Sequence, residues 1–353
     1  MRWVALAGFL ALGLGPVEPS AGLHVYVPNQ MGASIMVLDG SGGLIETVDL
    51  VSLGFTEHAM PHQVAAAPDG SAWYVTLAGD GFVLELDREN RLVARTPVAE
   101  PGMIVIDPRR DLLYVSRALG AVNPPTSLAV LRASDMELLD EPDIFVPRPH
   151  ALAVDTVSGR VYTGSLSTNG IASLDFSTGE VRVTDVAGPS HAFVGLGVSP
   201  DGGSVVATTQ LTDRLLAFEP APDGELVQIA SVPVAAAPYD VTFSPDGASV
   251  WFPNQRAGAV TRVDARDWTV SAVVEDPAFQ EPHGVVLSPD GATVYVSSHG
   301  RAAGAEMHAG AGHDMESPRE NGTLALIDAA SGKVEKVTEV GPYAAALGIA
   351  LLP

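Results

Sequence analysis

A hairpin unit returns again and again along the chain, and few folds can accommodate that. Its clearest copy runs from Pro282 as Pro-His-Gly-Val-Val-Leu-Ser-Pro-Asp-Gly and continues as Thr293-Val-Tyr-Val-Ser. Tyr239-Asp-Val-Thr-Phe-Ser-Pro-Asp-Gly with Ser249-Val-Trp-Phe-Pro is the same unit, as is His62-Gln-Val-Ala-Ala-Ala-Pro-Asp-Gly with Ala72-Trp-Tyr-Val-Thr. Weaker copies begin at Met103, His150 and His191. Each joins two β-rich runs through a Pro/Asp/Gly turn, which is a hairpin pattern. A third run ends near an acidic residue (Phe82 to Asp87, Ile171 to Asp175, Ala259 to Asp264, Thr323 to Asp328), and a more polar fourth run follows.

Four short antiparallel strands in roughly 40–45 residues is the spacing of a propeller blade. The ends fix the number of blades. Near the N-terminus, His24-Val-Tyr-Val-Pro reads as a second strand without a first, and Tyr343 to Leu351 reads as a first strand without a second. Joined, they complete one blade. The expected fold is all-β, a seven-bladed β-propeller over residues 22–353 whose C-terminal strand completes the N-terminal blade. Closure of this kind removes the open sheet edges that invite aggregation.

Upstream, Met1-Arg2-Trp3 precedes an apolar run from Val4 to about Leu14 and small residues at Ser20-Ala21-Gly22. This pattern predicts a signal peptide over 1–21 and a periplasmic or secreted protein. The run is too short to span a bilayer, and no later segment is suited to do so. The formal charge is −23 with only 19 Lys and Arg, which disfavours nucleic acid and anionic membranes as partners. With no cysteine, disulfides, thiolate metal sites and a Cys nucleophile are excluded.

Nine histidines are present, and eight fall in two kinds of loop, from fourth to next first strand and from second to third strand. In an antiparallel blade both loops lie on one face, so the eight are expected around one mouth of the channel. His62, His150 and His283 share a repeat position after a proline, where Tyr239 and Gly102 stand in other blades. His191 lies upstream in a longer version of that loop, and His58 with Met60 precedes His62. His299 opens the longest insertion, 300–322, which carries Met307, His308, His313 and Met315.

Imidazoles from several blades suit Cu, Zn, Ni or Fe, and thioethers add a preference for copper. The expected ligands are therefore His62, His150, His191, His283 and His299, with His58, His308, His313, Met307 and Met315 as further loop ligands. Glu57, Glu281 and Asp314 stand near them as ring-orienting acceptors. Tyr239, Tyr343, Arg148 and Arg256 are expected on the substrate side, the arginines as contacts for an anion. The Ser-Pro-Asp-Gly aspartates read as turn residues, and no Gly-x-Ser-x-Gly nucleophile motif occurs.

Val25-Tyr-Val-Pro-Asn-Gln and Val294-Tyr-Val-Ser-Ser, with their Ser-Pro-Asp-Gly turns, resemble the YVTN repeats of surface-layer-type propeller proteins over nearly the whole of residues 22–353. That resemblance implies the fold and leaves function open. Copper propellers such as nitrous oxide reductases and thiocyanate dehydrogenases look similar at the level of fold and residue type. This implies a copper oxidoreductase acting on a small molecule, with zinc or another transition metal as alternatives. No Cys-bearing electron-transfer domain is present, so electrons would pass to an external carrier protein. Two other readings stand beside it. One is a non-catalytic propeller for metal binding, delivery or protein interaction. The other is a metal-dependent lyase or lactonase, which calls for Asp or Glu where the repeat offers His, Tyr and Gly.

Overall fold

The computed structural model describes residues 22–118, 123, 125–301 and 319–352. The region 1–21 and the insertion residues Met307, His308, His313, Asp314 and Met315 lie outside them. Seven four-stranded antiparallel sheets form the expected propeller. Blade 1 comprises Pro61–Ala66, Ala72–Leu77, Phe82–Asp87 and Leu92–Pro97. Blades 2 to 6 follow in chain order, their inner strands being Ile104–Asp107, Pro149–Val154, Phe193–Val198, Thr242–Phe243 and Pro282–Leu287. Blade 7 is the composite: Gly348–Leu351 pairs with Leu23–Asn29 in the register Tyr26 to Gly348 and Leu23 to Leu351.

The blades pack through aromatic wedges on their second strands. Tyr26, Tyr74, Tyr114, Tyr162, Trp251 and Tyr295 occupy one repeat position, and all are buried. Blade 4 has Val206 there. Tyr295 donates its hydroxyl to Gly40 O of blade 7 at 2.7 Å, and Tyr74 donates to Ala133 O of blade 2 at 3.0 Å. An aromatic at this site both fills the seam and satisfies a carbonyl across it.

A second set of contacts ties the inner strands together. Thr76 Oγ1 donates to Gly102 O and Ser297 Oγ to Ala345 O, each at 2.7 Å, and Thr208 Oγ1 donates to Tyr239 O. Gln63 Oε1 accepts from Ile104 N at 2.7 Å, and Asp240 Oδ2 accepts from Val285 N at 3.3 Å. The ring closes where Ala346 N donates to His62 O at 3.2 Å. With no disulfide, these bonds and the buried seams carry the closure.

One backbone feature positions the mouth. Each chain entry to an inner strand passes through a left-handed, non-glycine residue: Met60, Glu100, Arg148, Ala192, Ala237, Glu281 and Tyr343, with φ between 50° and 58°. Such a conformation costs of order 1–3 kcal/mol per residue. In six blades the carbonyl of this residue accepts a bond from the residue just past the second strand: Ala78, Leu166, Gln210, Gln255, His299 or Gln30. This clasp recovers part of the cost and fixes two stacked rings of residues around the axis.

Candidate metal centre at the channel mouth

The lower ring lies two residues beyond each left-handed residue and holds His62, Gly102, His150, Val194, Tyr239, His283 and Ala345. A proline intervenes in five of the seven blades, which reproduces the Pro-His spacing of the sequence. The upper ring is the set of clasp donors, to which Gln30 and His299 belong. His62 and Gln30 are 2% and 4% exposed, while His150, His283 and His299 are fully buried.

Four imidazoles meet there. The centroids of His62 and His150 are 5.7 Å apart, those of His62 and His283 6.5 Å, and those of His283 and His299 4.5 Å. The blade between His62 and His150 contributes Gly102, which packs against the end of the second strand of its own blade. A Cβ at Gly102 would come 2.9 Å from Ser116 Oγ, which is held by a bond from Met103 N. Tyr239 packs on His283 at 4.2 Å and Tyr343 stacks on His299 at 3.8 Å, so four rings run in contact from blade 5 to blade 7. Arg319 caps the row, its guanidinium 4.7 Å from the Tyr343 centroid.

Polar side chains back two of the histidines. The Gln30 amide meets His62 Nδ1 at 2.5 Å. Glu281 Oε2 lies 3.6 Å from His299 Nδ1 and 2.6 Å from Arg319 Nη1. Burial works against the Glu281 charge, but the nearby His299, the hydrogen bond from Arg319 and the Arg319 charge outweigh it and hold the carboxyl at about 2. Burial, with Tyr343 and Asp240 nearby, pushes the Tyr239 phenol well above its ordinary value, so it stays protonated. Burial also raises the neighbouring Asp240 to about 6 despite N–H bonds from Val285 and Val241.

The other expected residues lie elsewhere. His191 is buried but outside the cluster. It precedes the left-handed Ala192 by one residue, and the ring position of its blade is Val194. Its Nδ1 meets Thr212 Oγ1 at 2.8 Å and its Nε2 meets Ala187 O at 3.2 Å. His58 is exposed beside Glu57 at 3.7 Å. Arg256 is half-exposed and pairs with Asp213 at 3.2 Å. Arg148 is partly buried at the rim, where its Nε donates to Ala118 O at 3.3 Å. Met60 is one of the left-handed residues. Gln30 and Arg319 went unnoticed in the sequence. Gln30 follows the Val-Tyr-Val-Pro-Asn strand at the place where His299 follows its own, so the repeat register was the available signal.

Among the described residues, no three His, Asp or Glu side chains are already gathered as a preformed metal site. The separation of His62 and His150 nevertheless suits shared coordination. With metal–nitrogen bonds near 2 Å and each ring centroid about 3.1 Å from the ion, two imidazoles on one ion place their centroids roughly 4.5–6.3 Å apart, from right-angled to linear arrangements. His62 and His150 fall inside that range, whereas the 6.5 Å between His62 and His283 lies just beyond it, so those two rings would have to draw together to share an ion. The closer His283–His299 pair would have to unstack for both rings to reach one ion.

No protein-family model matches the chain, and no curated protein matches it in sequence. Solved structures do match in shape. A functionally unknown protein from Desulfotomaculum acetoxidans has a TM-score of 0.72 at 14% identity, over 94% of this chain and 99% of that one. The dihydro-heme d1 dehydrogenase NirN, in complex with DHE, has a TM-score of 0.61 at 14% identity, over 95% and 77%. Hydrazine synthase from Kuenenia stuttgartiensis has a TM-score of 0.59 at 18% identity, over 76% of each chain. Identities this low carry the fold and leave the chemistry to the site itself.

Proposed function

We propose that this propeller is an exported metalloprotein that binds a transition metal, copper foremost, at the mouth of its channel and acts there on a small molecule. The observation that carries the reading is the convergence of His62, His150, His283 and His299 from three blades into one buried cluster. A set of imidazole donors suits copper and zinc alike, and copper is preferred for the thioethers and imidazoles of the adjoining insertion. His62, His150 and His283 are the ligands on the ring, and His299 is the fourth donor, held from behind by Glu281. Export is proposed from the N-terminal pattern alone.

A bound copper ion supplies Lewis acidity and one-electron redox capacity; zinc supplies the first only. The protein contributes the rest. Gly102, Val194 and Ala345 bring no donor atom to the ring, which leaves part of the coordination sphere for a ligand from outside. Tyr239 and Tyr343 flank the histidines with their rings and wall the site, the Tyr239 phenol staying protonated. The depth of the imidazoles excludes bulk solvent and restricts the reaction to small substrates. Burial also favours a resident ion over one passed on to a partner.

The test is metal analysis of untagged protein after loading with Cu(II) or Zn(II) and desalting. About one equivalent or more is expected, and His150→Ala and His283→Ala should each lower it several-fold. Less than about 0.3 equivalents in the unmutated protein would sink the reading.

A further inference from the structure

Gln30 shares its structural position with His299. Each follows the second strand of its blade, and each donates its backbone N–H to the left-handed residue at the mouth, Tyr343 at 3.1 Å and Glu281 at 3.3 Å respectively. Gln30 spends its side chain on a neighbouring blade. It is 4% exposed, and its amide nitrogen Nε2 reaches the Nδ1 of His62, thirty-two residues away in sequence, at 2.5 Å. A buried amide in this geometry has two settings. With its NH2 towards Nδ1, the setting in this structure, it donates, and the neutral ring keeps its proton on Nε2. Turned by half a rotation, its Oε1 accepts from Nδ1–H, and Nε2 presents its lone pair. Metal ligation by Nε2 requires the second setting. Glu281 can only accept, and so offers His299 Nδ1 that one setting at 3.6 Å.

We infer that Gln30 is the positioning residue for His62, and that its amide selects Nε2 of that ring as the atom offered to the metal. The inference rests on the proposed metal site and adds the identity of the ligating nitrogen together with the residue that sets it. Gln30 touches neither metal nor substrate in this scheme. It acts by fixing the plane of the ring and the proton on its far nitrogen. The neutral amide also permits an apo state with the opposite tautomer, which a carboxylate would resist.

The experiment compares full-length wild type, Gln30→Leu and Gln30→Glu, each loaded with Cu(II) and titrated against a chromogenic chelator. Long-range 1H–15N spectra of the zinc-loaded proteins are recorded alongside. Losing such an outer partner typically costs 10–100-fold in affinity. Gln30→Leu should weaken binding by about that factor while its circular dichroism and melting curve remain those of a folded propeller. Gln30→Glu, which keeps an acceptor at Nδ1, should return affinity to within about threefold of wild type. The spectra should show His62 carrying its proton on Nδ1 in wild type and Gln30→Glu. Should Gln30→Leu fail to fold, Gln30→Asn, which withdraws the amide by one methylene, replaces it under the same criteria. Unchanged affinity in a folded variant, or a metal-bound His62 protonated on Nε2, overturns the role of Gln30 and leaves the metal site standing. Wild type that takes up no metal overturns the site itself, and this role with it.

Discussion

Single residues decide which histidines reach the axis. His191 precedes its inner strand and His150 is the second residue of its own; one stands before the left-handed residue of its blade and the other two places after it. That offset sends His191 to Ala187 O of its own loop and to Thr212 in the turn between the second and third strands of its blade. His191→Ala should leave metal uptake at the wild-type level and lower stability by about 1–3 kcal/mol, the cost of stranding buried partners. Chemical denaturation run beside metal analysis checks both halves, and loss of metal would return His191 to the ligand set. Asp240 is a second residue whose surroundings set its behaviour. Its folded-state pKa of about 6 lies above the ordinary 3.8, because burial disfavours the charge more than two N–H bonds support it. A raised acid contributes stability that is complete below the ordinary value and is lost as pH rises through about 6. Metal-free wild type should therefore gain on Asp240→Asn, by on the order of 2 kcal/mol, between pH 7.5 and pH 4. A stability difference that stays flat over that range would remove the claim.

At the scale of the element, the informative unit is the entry to each inner strand. A left-handed residue, most often a proline, and then the ring residue make a rigid mount, clamped by a backbone bond from the end of the second strand. The hydrophobic alternation and the Pro/Asp/Gly turns made the hairpins legible in the sequence, because strand period and turn chemistry are local properties. The clamp was not legible. It brings together residues such as Gln30 and Tyr343, which stand at opposite ends of the chain. The Glu281–Arg319 pair was hidden for a related reason. Glu281 could be read as a neighbour of His283, but its contacts to His299 and Arg319 depend on how the second-strand exit folds back over the mouth.

For the whole molecule, closure is the governing event. The composite blade takes its inner strand from the C-terminal end of the chain, and Ala346 N of the same segment bonds His62 O of blade 1. A chain ending at Pro342 would leave Leu23–Asn29 as a bare edge and remove Tyr343 from the face of His299. Such a truncation should abolish the single cooperative unfolding transition and yield soluble aggregates. Calorimetry and size-exclusion chromatography read this outcome; a monomer melting like the full chain would show that closure contributes little.

The sequence by itself determined the blade plan, the composite seventh blade and the Pro-His spacing, since each follows from short-range periodicity and from counting strands between two incomplete ends. It also placed His62, His150, His283 and His299 on one face. Tertiary structure alone decided that these four meet, that His191 does not, and that Gln30 stands behind His62. The physical reason is that a side chain's direction at the channel mouth depends on one left-handed backbone residue and on a clasp from a distant segment. Neither leaves a periodic trace along the chain.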